Sequence, residues 1–298
     1  MRGYLRGLSC LVFTGAVIGG LLAAGPVTAA GAAVSGTVTC KGSLSSPGVL
    51  VGTINSNVVV KGLCAVPAGP AVVTGDVTVS PGSVLVSAFG MHNSSLTVNG
   101  NIYVRQGATA VLGCNPTNFP CLDDPSQSHP TLSSHVSVGL DVRSNLALGV
   151  IMHNFSIAGD LIQTAGGGGV NCRSQGIFKA FMNSPVFSAY EVGTVGGDVR
   201  ISSVHSCWMG VVQLKVGNTV VFHFNKLADP DAIEILANNI TGNLICRGNS
   251  MTWNSSEASF SHLFPRDPQP NTVGRNRKGQ CVLASPTSPG GPLGPGPF

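Results

Sequence analysis

Charge and aromatic rings are scarce in this chain, at 9% and 6% of its 298 residues, while mean hydropathy is positive. Scarce charge argues against a disordered, self-repelling chain, and too little Lys and Glu argues against a helical bundle with charged outer faces. The formal net charge is +4. It falls to +2 once Arg2 and Arg6 are set aside with a leader, so no nucleic-acid partner is expected. Several signatures of chemistry are missing as well. There is no G-x-S-x-G nucleophile turn, no H-E-x-x-H zinc helix and no C-x-x-C pair, and Gly166 to Gly169 lacks the Lys-Ser or Lys-Thr of a phosphate loop. No cofactor is expected.

What is abundant is glycine, 40 residues of it, set among Val, Thr, Ser and Asn, the composition of β-structure with many turns. One pattern recurs. It reads Val73-Thr74-Gly75-Asp76-Val77, then Val98-Asn99-Gly100-Asn101-Ile102, Ile157-Ala158-Gly159-Asp160-Leu161, Val195-Gly196-Gly197-Asp198-Val199 and Ile240-Thr241-Gly242-Asn243-Leu244. With a strand's period of two, the flanking aliphatics share the glycine's face, so the glycine marks an inward bend where a Cβ would obstruct a neighbour. The Asp or Asn beside it is expected to point outward as a turn residue. Strand–corner–strand units repeated along a chain describe a solenoid.

The recurrent glycines are spaced by 25, 59, 38 and 45 residues. The shortest step fits one turn, and the longer ones are expected to hold two or three turns with degenerate copies between. Val136 to Val142 and Leu214 to Phe224 are two such copies. The expected fold is all-β: a parallel β-helix over residues 31–282, of roughly ten rungs, with two insertions and a C-terminal cap from about 249. Residues 1–30 carry Arg2 and Arg6 before a short apolar run and small residues. That is a secretory signal peptide, too short to span a bilayer. Residues 283–298 form a Pro- and Gly-rich tail expected to lack order.

Without Cys10 of the leader, eight cysteines remain, an even number that suggests disulfides in an exported chain. In a solenoid each segment touches its neighbours, so pairing in order along the chain is the simplest expectation: Cys40–Cys64, Cys114–Cys121, Cys172–Cys207 and Cys246–Cys281. The spacing is compatible with other connectivities.

The insertions are where binding is expected, because loops on one face of a solenoid carry it. Asn115 to Thr131 holds Asp123, Asp124 and His129. Gly166 to Tyr190 holds Arg173, Lys179 and the aromatics Phe178, Phe181, Phe187 and Tyr190. Asp229, Asp231 and Glu234 form the densest acidic cluster and a weak metal candidate, with a turn as the simpler account. Met91-His92-Asn93 and Met152-His153-Asn154 precede similar repeats, so their histidines could share a corner, with His205 or His223 completing a metal or proton site. After Asn249 the chain turns aperiodic through Trp253, Phe260, Phe264 and Pro265, and the stretch to Cys281 reads as an end cap over open strand edges.

Ile240-Thr241-Gly242-Asn243-Leu244-Ile245-Cys246-Arg247-Gly248-Asn249, with Asn271-Thr272-Val273 and Gly279-Gln280-Cys281, resembles the C-terminal end of a group of secreted Gram-positive bacterial proteins. These carry V-x-G-N-V repeats and a C-x-G-N…N-x-V…G-Q-C ending. The resemblance implies a right-handed parallel β-helix and a Cys246–Cys281 bridge, and no activity. A looser resemblance is to bactofilins, which are cytoplasmic and lack cysteines. The expected function is that of a secreted, extracellular and non-enzymatic surface or matrix protein binding glycan or cell wall. The alternatives are a pectin-lyase-type enzyme, using Asp229, Asp231 and Glu234 or Asp123 and Asp124, and a self-assembling structural solenoid.

Overall fold

Val77-Thr78-Val79 and Ile102-Tyr103-Val104 each alternate a buried aliphatic with a half-exposed residue, and they lie side by side in parallel register. That unit, repeated, builds the molecule. The computed structural model describes residues 36–116, 119–229, 232–250 and 271–282. The leader at 1–30, Asp231, the aromatic segment from Trp253 to Pro265 and the tail at 283–298 lie outside the described residues.

Three parallel ladders form three faces of a β-solenoid. The first face comprises Thr37–Gly42, the start of Asn57–Ala65, Val77–Val79, Ile102–Val104, Val142–Asn145, Leu161–Thr164, Val199–Ser202, Val220–His223, Leu244–Arg247 and Arg277–Gly279. These are ten rungs, the number expected. The second face runs from Gly48–Val49 through Val84–Ser87 and Thr109–Leu112 to Glu234–Leu236. The third runs from Gly52–Ile54 through Pro70–Val73, Ser95–Val98 and His135–Val138 to Thr272–Val273. Gly149–Ile157, Phe187–Val195 and Trp208–Val216 serve both faces and bend between them at Asn154, Val192 and Gln213, all in the left-handed region.

Inside, like stacks on like. Val58, Val77, Ile102, Val142, Leu161, Val199, Val220 and Leu244 form one buried column, each contributing about 1.5–3 kcal/mol by leaving water. Four disulfides join Cys40–Cys64, Cys114–Cys121, Cys172–Cys207 and Cys246–Cys281, each cysteine with the next along the chain.

The repeated Gly-Asp/Asn pair has a mechanical explanation. The side-chain oxygen in each slot accepts the backbone N–H of the same slot one rung on: Asp76 from Asn101 (2.7 Å), Asn101 from Asp141 (3.1 Å), Asp141 from Asp160 (2.7 Å) and Asp160 from Asp198 (2.8 Å). Asp198 and Asn243 do the same for Thr219 and Asn276. These side chains therefore point along the solenoid axis, Asp198 buried and the others half-buried, rather than outward as expected. The glycine must be small because that oxygen passes over it. A Cβ on Gly100, Gly159 or Gly197 would sit 2.1–2.3 Å from the preceding carboxylate oxygen.

One expectation needs correction. The 38-residue step from Asp160 to Asp198 is a single rung enlarged by the second insertion, not two turns. Most of the stretch expected to form a cap lies outside the described residues, and at its end Thr272–Val273 and Arg277–Gly279 continue two ladders as a further rung.

Candidate functional site

The outer surface of the second face is where the solenoid departs from its own rule. Tyr190 donates its hydroxyl to Gln163 Oε1 (2.8 Å), and Gln163 Nε2 donates to Ser188 Oγ (3.0 Å). Gln163 is a buried residue of the first face, so Ser188 and Tyr190 point into the interior. Burial pushes the Tyr190 hydroxyl far above the ordinary phenol range, so it stays a neutral donor. The alternate residues Ala189 and Glu191, with their register mates Ile151, His153, Val212 and Glu234, must then face outward. All are nonetheless buried.

The two insertions cover them. Phe119 of the first insertion stacks on His153, centroids 4.5 Å apart and planes 15° apart. Ile177 and Phe178 of the second are buried, and Phe178 meets Phe187 edge-on at 5.4 Å, which in turn meets Trp208 at 6.1 Å. Trp208 lies over Gly210, where a Cβ would sit 2.2 Å from the indole, and its Nε1 donates to Glu234 Oε1 (3.2 Å). The insertions are thus a second small core laid on the outside of one face. His153 Nδ1 lies 3.5 Å from Glu191 Oε2 in this layer, and burial pushes the imidazole down to about 3, keeping it neutral.

The residues expected to bind are mostly committed to this architecture. Asp123 accepts the N–H groups of Gly90 (2.9 Å) and Met91 (2.8 Å), pinning the first insertion to the 3-10 turn Met91–Asn93. Asp124 is buried and accepts from Ser128 and from the His129 N–H (2.8 Å). The Ser128 hydroxyl is the largest influence holding its carboxyl below the usual range; burial opposes it, and the backbone N–H groups reinforce it. His129 is 59% exposed, with Nδ1 3.4 Å from Asp124. Arg173 and Lys179 are exposed on the second insertion, away from these acids in sequence and in no ion pair among the described residues.

The acidic cluster does not assemble either. Asp229 is buried beside the Cys172–Cys207 bridge, 3.9 Å from Cys207 Sγ. Those three residues have metal-like spacing, but two of the ligand atoms are bonded to each other and supply no thiolate. Glu234 is in the outer layer with Trp208. The histidines also separate: His92 is exposed in a turn, His153 buried under Phe119, His205 and His223 on other strands. They share no corner, and no other metal-like group occurs among the described residues.

A groove of about 330 Å³ does lie where the first insertion meets the solenoid. Asn115, Pro116, Thr131 and Ser133 line one side, and the left-handed corner residues Asn154, Val192 and Gln213 the other. It carries amides and hydroxyls but no ionisable group. Sequence reasoning missed it because its second wall is a column of corner residues, visible once the register is known. Set beside known proteins, the chain matches no family model, no curated protein and no solved structure.

Proposed function

We propose that this protein is a secreted, non-catalytic surface or matrix protein that presents a rigid solenoid for binding glycan or cell wall. The supporting observation is the fate of its carboxylates. Nine of the twelve acids fall among the described residues. Asp76, Asp141, Asp160 and Asp198 accept N–H groups between rungs. Asp123 and Asp124 hold the first insertion, and Glu191, Asp229 and Glu234 are buried. A polysaccharide lyase or hydrolase needs acids from separate rungs converging in an open groove with a base beside them. Among the described residues none converge so, which weighs against the enzyme reading.

The four disulfides suit an oxidising compartment, and among the described residues no helix is long and apolar enough to cross a membrane. The third face supplies a presentation surface: Thr97, Ser137, Ser156 and Thr194 line up across successive strands, with Ser137 and Ser156 hydroxyls 3.1 Å apart. Purified protein mixed with an insoluble cell-wall fraction and a glycan panel is expected to be retained while releasing nothing. Reducing ends or unsaturated sugars appearing in the supernatant would sink the proposal.

A further inference from the structure

The first face has two outward columns, and they differ in charge. The column nearer the aspartate corner reads Thr39, Val59, Thr78, Tyr103, Arg143, Ile162, Arg200, Val221, Ile245 and Lys278. Its two arginines are held by the corner: Arg143 Nε and Nη2 donate to Asp141 Oδ2 (3.1 and 2.7 Å), and Arg200 repeats this on Asp198. The column two residues further along reads Lys41, Lys61, Ser80, Arg105, Asn145, Thr164, Ser202, His223 and Arg247. It contains four cations, a histidine, hydroxyls and an amide, and no acid.

Distance keeps the second column positive. Asn145 and Ser202 lie four residues beyond Asp141 and Asp198, about 13 Å along an extended strand, against a Debye length of about 8 Å at physiological salt. The corner carboxylates are therefore largely screened from it. With strands about 4.8 Å apart, the nine positions from Lys41 to Arg247 make a rail about 38 Å long. Half-buried Val59, Tyr103, Ile162, Val221 and Ile245 form an apolar floor beside it, with Arg105 over the Tyr103 ring at 4.8 Å.

An aromatic platform stands at one end of the rail. Phe224 directly follows His223, is 62% exposed and has φ 58, a conformation that bulky side chains rarely adopt. Its ring covers Gly248, where a Cβ would sit 2.5 Å away, and lies 5.9 Å from the His223 ring. Arg247 is in register with His223, and Lys226 is exposed two residues on. A flat apolar ring flanked by cations suits a ligand with a flat C–H face and negative charge.

We infer that the first face docks a single polyanionic glycan chain, its carboxylates on Lys41, Lys61, Arg105 and Arg247, its hydroxyls on Asn145, Thr164 and Ser202, and one sugar ring on Phe224. This rests on the scaffold reading above and names its ligand chemistry. A nucleic-acid duplex, with phosphates on two strands winding round a cylinder, would meet a single file of cations at few points.

The test measures binding of the purified protein to polygalacturonate, to its uncharged methyl ester and to duplex DNA across a salt series. Polygalacturonate is expected to bind best and to weaken as salt rises. Lys61→Gln/Arg105→Gln/Arg247→Gln removes three charge contacts and is expected to bind roughly tenfold more weakly, or worse. Phe224→Gly, which keeps the left-handed backbone without strain, is expected to bind several-fold more weakly with an unchanged melting temperature. Lys179→Gln, in the second insertion, is expected to bind as the parent does. Equal binding of the methyl ester, a preference for DNA, or full binding by the triple variant and Phe224→Gly would overturn the surface assignment. Retention on wall material by those same variants would leave the scaffold reading standing, whereas released products would end both.

Discussion

Replacing Cys172 and Cys207 together by alanine is expected to cost about 4 kcal/mol, the loop-closure entropy returned to the unfolded chain by opening a 35-residue separation. At about 2–4 °C per kcal/mol for a domain of this size, the melting temperature should fall by about 8–16 °C. The bridge ties the second insertion to the strand entering at Trp208, beneath Phe178 and Phe187. Its loss should therefore also loosen the outer layer on the second face, raising amide exchange in Phe187–Val195 and Trp208–Val216. An unchanged melting temperature with unchanged exchange would show that the insertion is held by packing alone.

The second large effect concerns a corner that looks like the repeat motif and works differently. Asn225 is fully buried. Its Oδ1 accepts the Val204 N–H (3.0 Å), while its Nδ2 donates to Ile201 O (3.1 Å) and Asn249 Oδ1 (2.9 Å). Asn249 repeats the arrangement with Asn225, Phe222 O and Gln280, and Asn238 with Leu214, Val211 O and Asn271. Such a slot needs an acceptor and two donated hydrogens on one short side chain, which the asparagine amide supplies. Asn225→Asp removes both donated bonds and buries a charge, so a loss of about 3–5 kcal/mol is expected in denaturant titration. A loss under about 1 kcal/mol would mean that these amides are not structural.

That difference also shows how much of the fold was legible in the chain. The Gly-Asp/Asn recurrence and a count of roughly ten rungs could be read directly, because both depend on contacts between neighbouring turns; sequential disulfide pairing was only the simplest of several open connectivities. What could not be read was direction. A period of two says that Asp160 is not inward, but not that its oxygen lies along the axis over Gly197. The amide columns at Asn225, Asn238, Asn249 and Asn271 went unseen because glycine precedes only Asn249; Phe224 and Ala237 take the left-handed corner before Asn225 and Asn238.

The candidate site was less legible still. Asp123, Asp124 and His129 were rightly drawn to an insertion, but the acids are spent on Gly90, Met91 and Ser128. Asp229 and Glu234, close in sequence, part because one sits by a disulfide and the other rides outward on a strand. The rail from Lys41 to Arg247 is invisible in the sequence because insertions make its spacing irregular, and parallel register alone brings its cations into file.

The central claim is that the repeated acids are hydrogen-bond acceptors between rungs and not chemical groups, and Asp160 tests it most directly. It stands between Asp141 and Asp198 in the same column, and each of those, unlike Asp160, is also paired with an arginine. Burial alone would raise the Asp141 carboxyl, but the Asp160 N–H and the Arg143 guanidinium outweigh it and hold it below the usual range. Asn101 already fills an equivalent slot, donating Nδ2 to Asp76 at 2.9 Å. Asp160→Asn should therefore melt within about 2 °C of the parent or slightly above it. Asp160→Ala, which leaves the Asp198 N–H without its acceptor, should lose about 1–3 kcal/mol and melt clearly lower. If the asparagine variant falls as far as the alanine variant, the carboxylate charge itself is needed and the account is wrong.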